Sequence, residues 1–297
     1  MKSPALKSDL LLLLTAAIWG FAFVAQRIGM DFIGPFTYNA VRFALGSLSL
    51  IPLLIYFRKK TEKIPKKTDD SNSYKTILIG AGIGLVLFAG ASFQQAGLVY
   101  TTAGKAAFIT GLYVVIVPIL LLFMRQNSTV AMWAGALLAA VGLYFLSITE
   151  ELTIEFGDLL EIIGAVFWAI HVLLVGWFSK KVSPIYLAFL QFAFCSLFSF
   201  ITAFSIEVVT IQGIQSAAMP ILYGGLGSVG IAYTLQVVAQ RNAHPAHAAI
   251  ILSLETVFAA IGGWLVLNEI LSTRSQIGCI LMFTGMIISQ LRKRSKA

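Results

Sequence analysis

The feature that most constrains this chain is a series of apolar segments, each close to 20 residues long. They lie near 10–27, 35–57, 76–98, 104–124, 130–148, 157–178, 184–206, 217–239, 245–267 and 274–291. An α-helix needs about 20 apolar residues to cross the ~30 Å hydrocarbon core of a bilayer. Of the 297 residues, 58% are hydrophobic and 11% are charged, against about 25% charged in a soluble domain. We therefore predict an all-α integral membrane protein with ten transmembrane helices.

The charged residues predict how these helices are oriented. Most of the 21 Lys and Arg residues fall in loops that would share one side of the membrane, including the run at 58–75 and the C-terminal tail. Cytoplasmic loops are enriched in Lys and Arg, so we predict cytoplasmic N- and C-termini. The first apolar segment has no A-x-A-like cleavage site after it, and we expect it to be retained. The net charge of +8 then suits anionic lipid headgroups better than nucleic acid.

The two halves of the chain resemble each other. A shift of 149 residues aligns Asp9, Trp19, Pro35, Phe43 and Ser47 with Asp158, Trp168, Pro184, Phe192 and Ser196. A shift of 142 aligns Lys105-Ala106-Ala107 with His247-Ala248-Ala249, and a shift of 143 aligns Gly135 and Gly142 with Gly278 and Gly285. We therefore predict two repeats, at 1–152 and 153–297. Each would cross the membrane five times, so the two would be inverted relative to each other. Inverted repeats around a central site are typical of secondary transporters, and duplication without transport is the alternative.

Several stretches resemble the EamA-type drug/metabolite transporter superfamily. They are AAIWGFAFV at 16–24, PFTYNAVRFALG at 35–46, QQAGLVYTTAGKAAFITGLYVVIVP at 94–118, AHAAIILSLETVFAAIGGWLVLNEILS at 246–272 and IGCILMFTG at 277–285. The resemblance implies ten helices in two inverted five-helix repeats in the bacterial inner membrane. It also implies a central cavity and the movement of small metabolites, often the export of amino acids.

The chain departs from this family pattern at two places. Family members often have Glu-Pro where this chain has Glu255-Thr256, so a helix break there is in doubt. The acid that often ends the fourth helix is replaced by Gln126-Asn127, while the second half keeps Glu269, which we expect to anchor its helix.

Polar side chains inside the apolar segments are the candidates for function, because lipid burial is costly unless they face protein or water. They form stripes at helical spacing, for example Tyr38, Asn39 and Arg42, or Tyr233 and Gln236. Each stripe could instead join neighbouring helices. The candidate substrate-binding residues are Trp19, Asn39, Arg42, Gln95, Tyr113, Trp168, His171, Tyr233, Gln236 and Glu255.

Arg42 and Glu255 are the strongest of these candidates. Counted from the ends of their segments, the two differ in depth by only about 6 Å of a ~30 Å core. Neither charge is repeated, because Arg42 aligns with Gln191 and Glu255 with Tyr113. A permanent structural ion pair is one interpretation. In the other, Arg42 binds a substrate carboxylate and Glu255 binds an amine or a proton.

The remaining motifs are weaker indications of function. The glycine-rich runs at 80–84 and 224–230 predict close helix packing rather than phosphate binding. Lys105 either lines the outer mouth or is a solvated lysine at a helix start. His244 and His247 lack a third metal ligand in the sequence, so we predict no metal.

These features favour a secondary transporter, most simply an exporter of small metabolites such as amino acids, with proton coupling and no cofactor. The sequence contains no nucleotide-binding loop and no HExxH or GxSxG motif, which argues against an ATP-driven pump and a membrane enzyme. A channel or a non-transporting membrane assembly protein stays open as an alternative. The oligomeric state is predicted only as monomer or homodimer.

Overall fold

The computed structural model describes residues 4–61, 71–126, 129–147, 155–267 and 272–289. Within these ranges every regular element is a helix, and none is a strand. The prediction of an all-α fold is therefore confirmed.

The described residues before position 150 form seven α-helices. They are α1 Pro4–Gly29, α2 Pro35–Ser49, α3 Ile51–Thr61, α4 Ser71–Gly97, α5 Ala103–Gly111, α6 Tyr113–Phe123 and α7 Val130–Ser147. The described residues from 155 onward form eight further α-helices and one π-helix. They are α8 Phe156–Phe178, α9 Pro184–Ile206, α10 Ile211–Ser216, α11 Ala218–Leu222, the π-helix Tyr223–Tyr233, α12 Thr234–Gln240, α13 Pro245–Leu252, α14 Glu255–Leu267 and α15 Thr273–Ser289.

Eight helical stretches in the described part of the chain are long and apolar enough to cross a membrane. They are Leu6–Gly29, Pro35–Phe57, Tyr74–Gly97, Ala103–Phe123, Phe156–Phe178, Pro184–Ile206, Ala218–Gln240 and Pro245–Val266. The shorter apolar helices Val130–Phe145 and Gln276–Ser289 lie at the fifth and tenth predicted spans. The order of the ten predicted spans agrees with the structure, and their lengths agree for eight. Both shorter helices end next to residues outside the described ranges.

Local sequence explains where several helices begin. Pro35, Pro184 and Pro245 each occupy the first turn of their helix, where the missing N–H costs no intrahelical hydrogen bond. The Thr102 side chain caps α5 by accepting a hydrogen bond from the backbone N–H of Lys105.

The fourth and ninth spans are each broken near their middle. Leu112 separates α5 from α6, and Ser253-Leu254 separates α13 from α14. The Leu112 N–H bonds to the carbonyl three residues back, and so does the Leu254 N–H, which tightens each helix end. The doubt about a break at Glu255-Thr256 was unfounded, because the chain breaks there without a proline.

The eighth span contains a feature that the sequence analysis did not predict, since its middle, Tyr223–Tyr233, is a π-helix. Glycines let α2 and this π-helix approach closely. A Cβ on Gly46 would lie 2.2 Å from Val229 Cγ1, and one on Gly225 would lie 2.7 Å from Leu45 Cδ2. The prediction of close packing at the second glycine-rich run is confirmed.

The first glycine-rich run packs α4 against α9. A Cβ on Gly80 would lie 2.5 Å from Leu190 Cβ, and one on Gly84 would lie 2.7 Å from Phe194 Cβ. Gly82 differs, because a Cβ there would have no heavy atom within 4 Å. Close packing is therefore confirmed for two of these glycines.

Contacts between the halves of the chain occur in matched pairs. Ser47 Oγ donates to the Phe189 carbonyl at 3.3 Å, and Ser196 Oγ donates to the Ala40 carbonyl at 2.9 Å. The shift of 149 residues turns the first contact into the second with the halves exchanged.

The same exchange holds where α7 packs against α15. A Cβ on Gly135 would lie 2.6 Å from the Gly285 carbonyl oxygen, and one on Gly142 would lie 2.6 Å from that of Gly278. The shift of 143 residues converts one of these contacts into the other.

Candidate functional site

The candidate site lies where the two broken helices meet. Tyr113 is the first residue of α6 and Glu255 is the first residue of α14. The Tyr113 hydroxyl donates a 2.9 Å hydrogen bond to Glu255 Oε1. A helix dipole favours an acidic group at its start, which helps to hold the buried Glu255 carboxyl group there.

The two broken helices run antiparallel to each other. The half-helix α5 packs beside α14, and α6 packs beside α13. Thr256 Oγ1 of α14 donates to the Ala107 carbonyl of α5 at 3.1 Å. The two breaks are therefore adjacent, while α5 and α13 begin at opposite ends of the bundle.

A cavity of about 30 Å³ surrounds this junction. It is lined by Trp19, Phe23, Gln26, Arg42, Gln94, Thr110, Tyr113, Trp168, Val172, Ser228, Tyr233, Gln236 and Glu255. A space of this size accommodates only ~2 water molecules. A metabolite is larger than this space, so the lining side chains must move to admit one.

Arg42 is fixed in the cavity wall by two amide side chains. Its Nε donates to Asn39 Oδ1 at 2.9 Å, and its Nη1 donates to Gln26 Oε1 at 2.7 Å. Asn39 is held in turn by a 3.0 Å hydrogen bond from its Nδ2 to the Ala91 carbonyl. Arg42 Nη2 is buried and has no hydrogen-bond partner among the described residues. An oriented guanidinium with an unused donor is suited to binding a carboxylate or phosphate group.

Arg42 and Glu255 line the same cavity but do not bind each other. Among the described side chains Arg42 donates hydrogen bonds to Asn39 and Gln26, and no ion pair joins it to Glu255. The interpretation as a permanent ion pair is therefore wrong for this structure. The physical reason is that each group has neutral partners on its own side of the cavity.

Aromatic rings form another side of the cavity. Tyr233 lies between two tryptophans, with its ring centroid 4.4 Å from that of Trp19 and 6.0 Å from that of Trp168. The indole Nε1 atoms of both tryptophans are buried without a hydrogen-bond partner in the described part of the chain. Gln236 Nε2 and Oε1 are unpartnered in the same sense. Buried polar groups are normally hydrogen-bonded, so these atoms indicate a surface shaped for a polar ligand.

Seven of the ten predicted site residues line the cavity, and three lie behind its wall. Asn39 orients Arg42, as described above. Gln95 Nε2 donates to the Gln26 backbone carbonyl at 3.3 Å. His171 bonds to Gln191 Oε1 at 2.8 Å, and its ring packs edge-on against Trp168 and Tyr233. These three residues contact the lining residues rather than the cavity.

Sequence reasoning missed several polar lining residues. Gln26 belongs to the predicted polar stripe of Thr15 and Trp19 but was not among the candidate binding residues, and Gln94 aligns with Gln236 at the shift of 142, so both carried a usable signal. Ser228 carried no such signal. It lies five positions before Tyr233, and residues five apart lie on different faces of an α-helix. The two residues line the same cavity because this segment is a π-helix.

A buried acid that the sequence analysis overlooked lies next to the cavity. Glu161 of α8 is 0% exposed, and its Oε2 accepts a 3.2 Å hydrogen bond from Thr110 Oγ1. Thr110 also accepts a 3.2 Å hydrogen bond from Gln94 Nε2. Glu161 lies within the sixth predicted span, so its charge was visible in the sequence.

An ion pair lies at the end of the bundle where α5 begins. Lys105 Nζ is 2.7 Å from Asp158 Oδ2, and Asp158 is buried whereas Lys105 is partly exposed. Lys105 therefore bridges α5 and α8 instead of extending into solvent.

A second pair lies at the opposite end, where α13 begins. His247 Nε2 is 2.9 Å from Asp9 Oδ1, and its Nδ1 is 3.0 Å from Ser289 Oγ. His247 thus joins α13 to α1 and α15. No group of three or more metal-binding side chains occurs among the described residues.

His244 begins α13 just outside the ninth span. Its Nδ1 accepts a 3.3 Å hydrogen bond from the Ala246 N–H, which requires an unprotonated nitrogen. Burial, and then the nearby charges of Lys180 and His247, lower the pKa of His244 and favour that neutral form.

Comparison with known proteins identifies the family. The model of the EamA-like transporter family matches this chain twice, at residues 6–148 and 155–290. The chain belongs to the EamA-like transporter family. The resemblance seen in the sequence is therefore confirmed.

Its EamA-like relatives cover nearly the whole chain. An uncharacterized transporter of Archaeoglobus fulgidus is 34% identical over 292 residues, which cover 97% of this chain and 87% of that protein. The uncharacterized transporter YoaV of Bacillus subtilis is 24% identical and covers 92% of each chain. A solved crystal structure superposes with a TM-score of 0.76 at 16% identity, over 95% of this chain and 96% of that one, and shows the same fold. This EamA-like protein is thus a multi-pass membrane transporter.

Proposed function

We propose that this EamA-like transporter is a secondary active transporter that works by alternating access at the cavity between its broken helices. We further propose that it exports small metabolites, such as amino acids or related compounds, across the cytoplasmic membrane. In this proposal both termini are cytoplasmic. One observation carries the proposal: equivalent ion pairs lie at opposite ends of the bundle, on either side of the cavity at the helix breaks.

The two ion pairs are related by the internal repeat. Asp9 aligns with Asp158 at the shift of 149, and Lys105 aligns with His247 at the shift of 142. Exchanging the halves therefore converts the Lys105–Asp158 pair into the His247–Asp9 pair. Each pair joins one half of the chain to the other.

The pairs are also equally distant from the centre. Lys105 precedes Tyr113 by eight positions, and His247 precedes Glu255 by eight. At ~1.5 Å per residue, each pair lies roughly 12 Å along its helix from the Tyr113–Glu255 contact. The starts of α5 and α13 lie at opposite ends of the bundle, and the proposal places the N-terminus, near Asp9, in the cytoplasm. We therefore assign Lys105–Asp158 to an outer gate and His247–Asp9 to an inner gate.

The repeats at 1–152 and 153–297 provide the framework for this exchange. The family model matches once in each repeat, and the serine and glycine contacts between the halves occur in exchanged pairs. These facts support two inverted repeats. Two equivalent halves can alternate between closing one gate and closing the other, as in many secondary transporters.

The chemistry of the cavity supports a small substrate that carries charge at both ends. The unused Nη2 of Arg42 suits a carboxylate, and Glu255 suits an amine or a proton. Trp19, Trp168 and Tyr233 would contact the apolar part of such a molecule. Because Arg42 and Glu255 are not paired, a substrate could bridge them without first breaking an ion pair.

The transport proposal is tested with purified protein in liposomes. A thermal-shift screen against polar metabolites first selects ligands, since a ligand that binds the folded state raises its apparent stability. Counterflow of each radiolabelled ligand then distinguishes a carrier from a channel. We expect saturable exchange that Arg42→Gln and Glu255→Gln reduce. Unsaturable flux would indicate a channel, and the absence of any flux with bound ligand would indicate a protein that does not transport it.

A further inference from the structure

The buried acid Glu161 has too few partners for an ordinary structural carboxylate. Its Oε2 accepts one hydrogen bond from Thr110, and its Oε1 has no hydrogen-bond partner among the described residues. No Lys, Arg or His in the described part of the chain forms an ion pair with it. An unpaired buried charge is strongly destabilising, so this group requires a positive ligand.

The fold reserves space for this carboxyl group. A Cβ on Gly97 would lie 2.7 Å from Glu161 Oε1 and 3.0 Å from its Cδ. Any side chain larger than glycine at position 97 of α4 would therefore displace the acid. The unpartnered oxygen is therefore packed against the α4 backbone at Gly97.

Polar groups lead away from Glu161 in two directions. Towards the cavity, the Thr110 hydroxyl donates to Glu161 and accepts from Gln94, and both residues line the cavity. Towards the Lys105 end, Asp158 lies three positions earlier on the same face of α8. Asp158 also lies 3.4 Å from the Thr101 hydroxyl. Glu161 is thus located between the cavity and the Lys105–Asp158 pair.

We propose that Glu161 is a proton-binding site that exchanges its proton with water at the Lys105 end through Asp158. The proton comes from bulk water, forms an O–H bond at Glu161 and returns to bulk water by the same route. Thr110, which is hydrogen-bonded to both Glu161 and Gln94, links the protonation of this site to the cavity lining. The role of this proton in coupling rests on the proposed transport function, whereas its binding does not.

A proton fits the pocket better than a metal cation. The two carboxyl oxygens and one hydroxyl are fewer than the six or more oxygens that a hard cation such as Ca²⁺ collects. The described residues contain no cluster of three metal-binding side chains there.

Few other titratable groups face Glu161 from the helices that pack against α8. They are Asp158 on α8 itself, Lys105 on α5 and Tyr113 at the start of α6. His171, the other titratable residue of α8, lies ten positions further along the helix and is bound to Gln191. On α4, Tyr74 and Lys75 lie at the far end, α12 has no titratable residue, and His247 of α13 is bound to Asp9. Glu155 and Tyr100 lie beyond the starts and ends of these helices. The positive charge of Lys105 is satisfied by Asp158, which leaves Glu161 to be neutralised by a proton.

Infrared spectroscopy of the full-length protein in lipid tests this proposal without any substrate. The C=O stretch of a protonated carboxyl group is recorded while pH is varied, and then after exchange into D₂O. We expect Glu161→Gln to remove one pH-dependent band that wild type shows, because glutamine keeps the Thr110 contact but binds no proton. We expect the D₂O shift of that band to be at least about tenfold slower in Asp158→Asn than in Lys105→Ala, because both variants break the same ion pair and only the second keeps the proton-transfer group.

The matched control is Asp31→Asn, which neutralises a mainly exposed acid with 59% side-chain exposure and should leave the band unchanged. Glu255→Gln should remove only features that Glu161→Gln retains. An unchanged spectrum in Glu161→Gln at every pH would contradict proton binding there. A band that responds to Na⁺ instead of pH would assign the site to a cation. Equal exchange rates in Asp158→Asn and Lys105→Ala would contradict the route. None of these outcomes depends on whether counterflow is observed.

Discussion

Arg42 has two of its nitrogens occupied by the amides of Gln26 and Asn39, and a third nitrogen with no partner among the described residues. This arrangement fixes the plane of the guanidinium before a ligand arrives. Fixed donors lose little conformational freedom on binding, which favours affinity. Under the proposed function, Arg42 is the anchor for the negative end of a substrate.

Replacing Arg42 with lysine tests this role, because lysine keeps the charge but cannot make the same fixed contacts. We expect ligands from the thermal-shift screen to bind about 10- to 100-fold more weakly, as the loss of a charged hydrogen bond of ~1.5–3 kcal/mol predicts. Isothermal titration measures the affinity. The control is Arg27→Lys, which retains charge in an exposed pair with Asp31 and should bind like wild type. Equal affinity in Arg42→Lys and wild type would contradict the assignment.

The residue types in the sequence predicted many members of this site but not their arrangement in space. Arg42 and Glu255 stand out because charges inside apolar segments are costly, and both line the cavity. Their partners could not be predicted, since Gln26 and Tyr113 reach them only through tertiary packing of α1 and α6. Ser228 was hidden for another reason, because its contribution depends on a local change of helix type.

At the scale of elements, the broken helices and the glycine contacts shape the site. The existence of ten apolar segments was predictable from length and hydrophobicity. The break at Leu112 was not predicted, although Gly111 directly precedes it. The contact of Tyr113 with Glu255 at this break joins residues that are far apart in the chain, which no local pattern shows.

Two alanine substitutions on α4 test the packing of that element. Gly80→Ala should lower thermal stability, because the new methyl group would lie 2.5 Å from Leu190 Cβ. Gly82→Ala, two positions later, should raise stability by about 0.5–1 kcal/mol, because it meets no atom and restricts the unfolded chain. Thermal unfolding followed by size-exclusion chromatography measures both. A higher thermal stability in Gly80→Ala than in Gly82→Ala would contradict the described α4–α9 interface.

At the scale of the whole molecule, the internal repeat was visible in the sequence as aligned residues. The sequence could not show that the aligned residues contact each other with the halves exchanged. Lys105 and Asp158 are separated by a long stretch of chain, and so are His247 and Asp9. Only the packed bundle brings each pair together at its own end.

The central claim is that these two pairs are gates on opposite sides of one cavity. It is tested by placing a single cysteine in the cavity as Ser228→Cys, in protein whose free Cys195 and Cys279 are replaced by serine. A membrane-impermeant thiol reagent is applied from one side of oriented vesicles at a time. The same labelling is carried out on Lys105→Ala and His247→Ala, which break the gates. It is also carried out on Lys105→His and His247→Lys, which each place the residue of one gate in the other.

We expect Lys105→Ala to speed labelling of the cavity cysteine from outside only, and His247→Ala to speed it from inside only. We expect His247→Lys, which adds a permanent charge to the inner pair, to slow labelling from inside. Arg27→Ala removes an outer-side charge that pairs with Asp31, just after the end of α1, and should change neither rate. Faster labelling from both sides in every gate variant, or from neither side in any, would contradict the account.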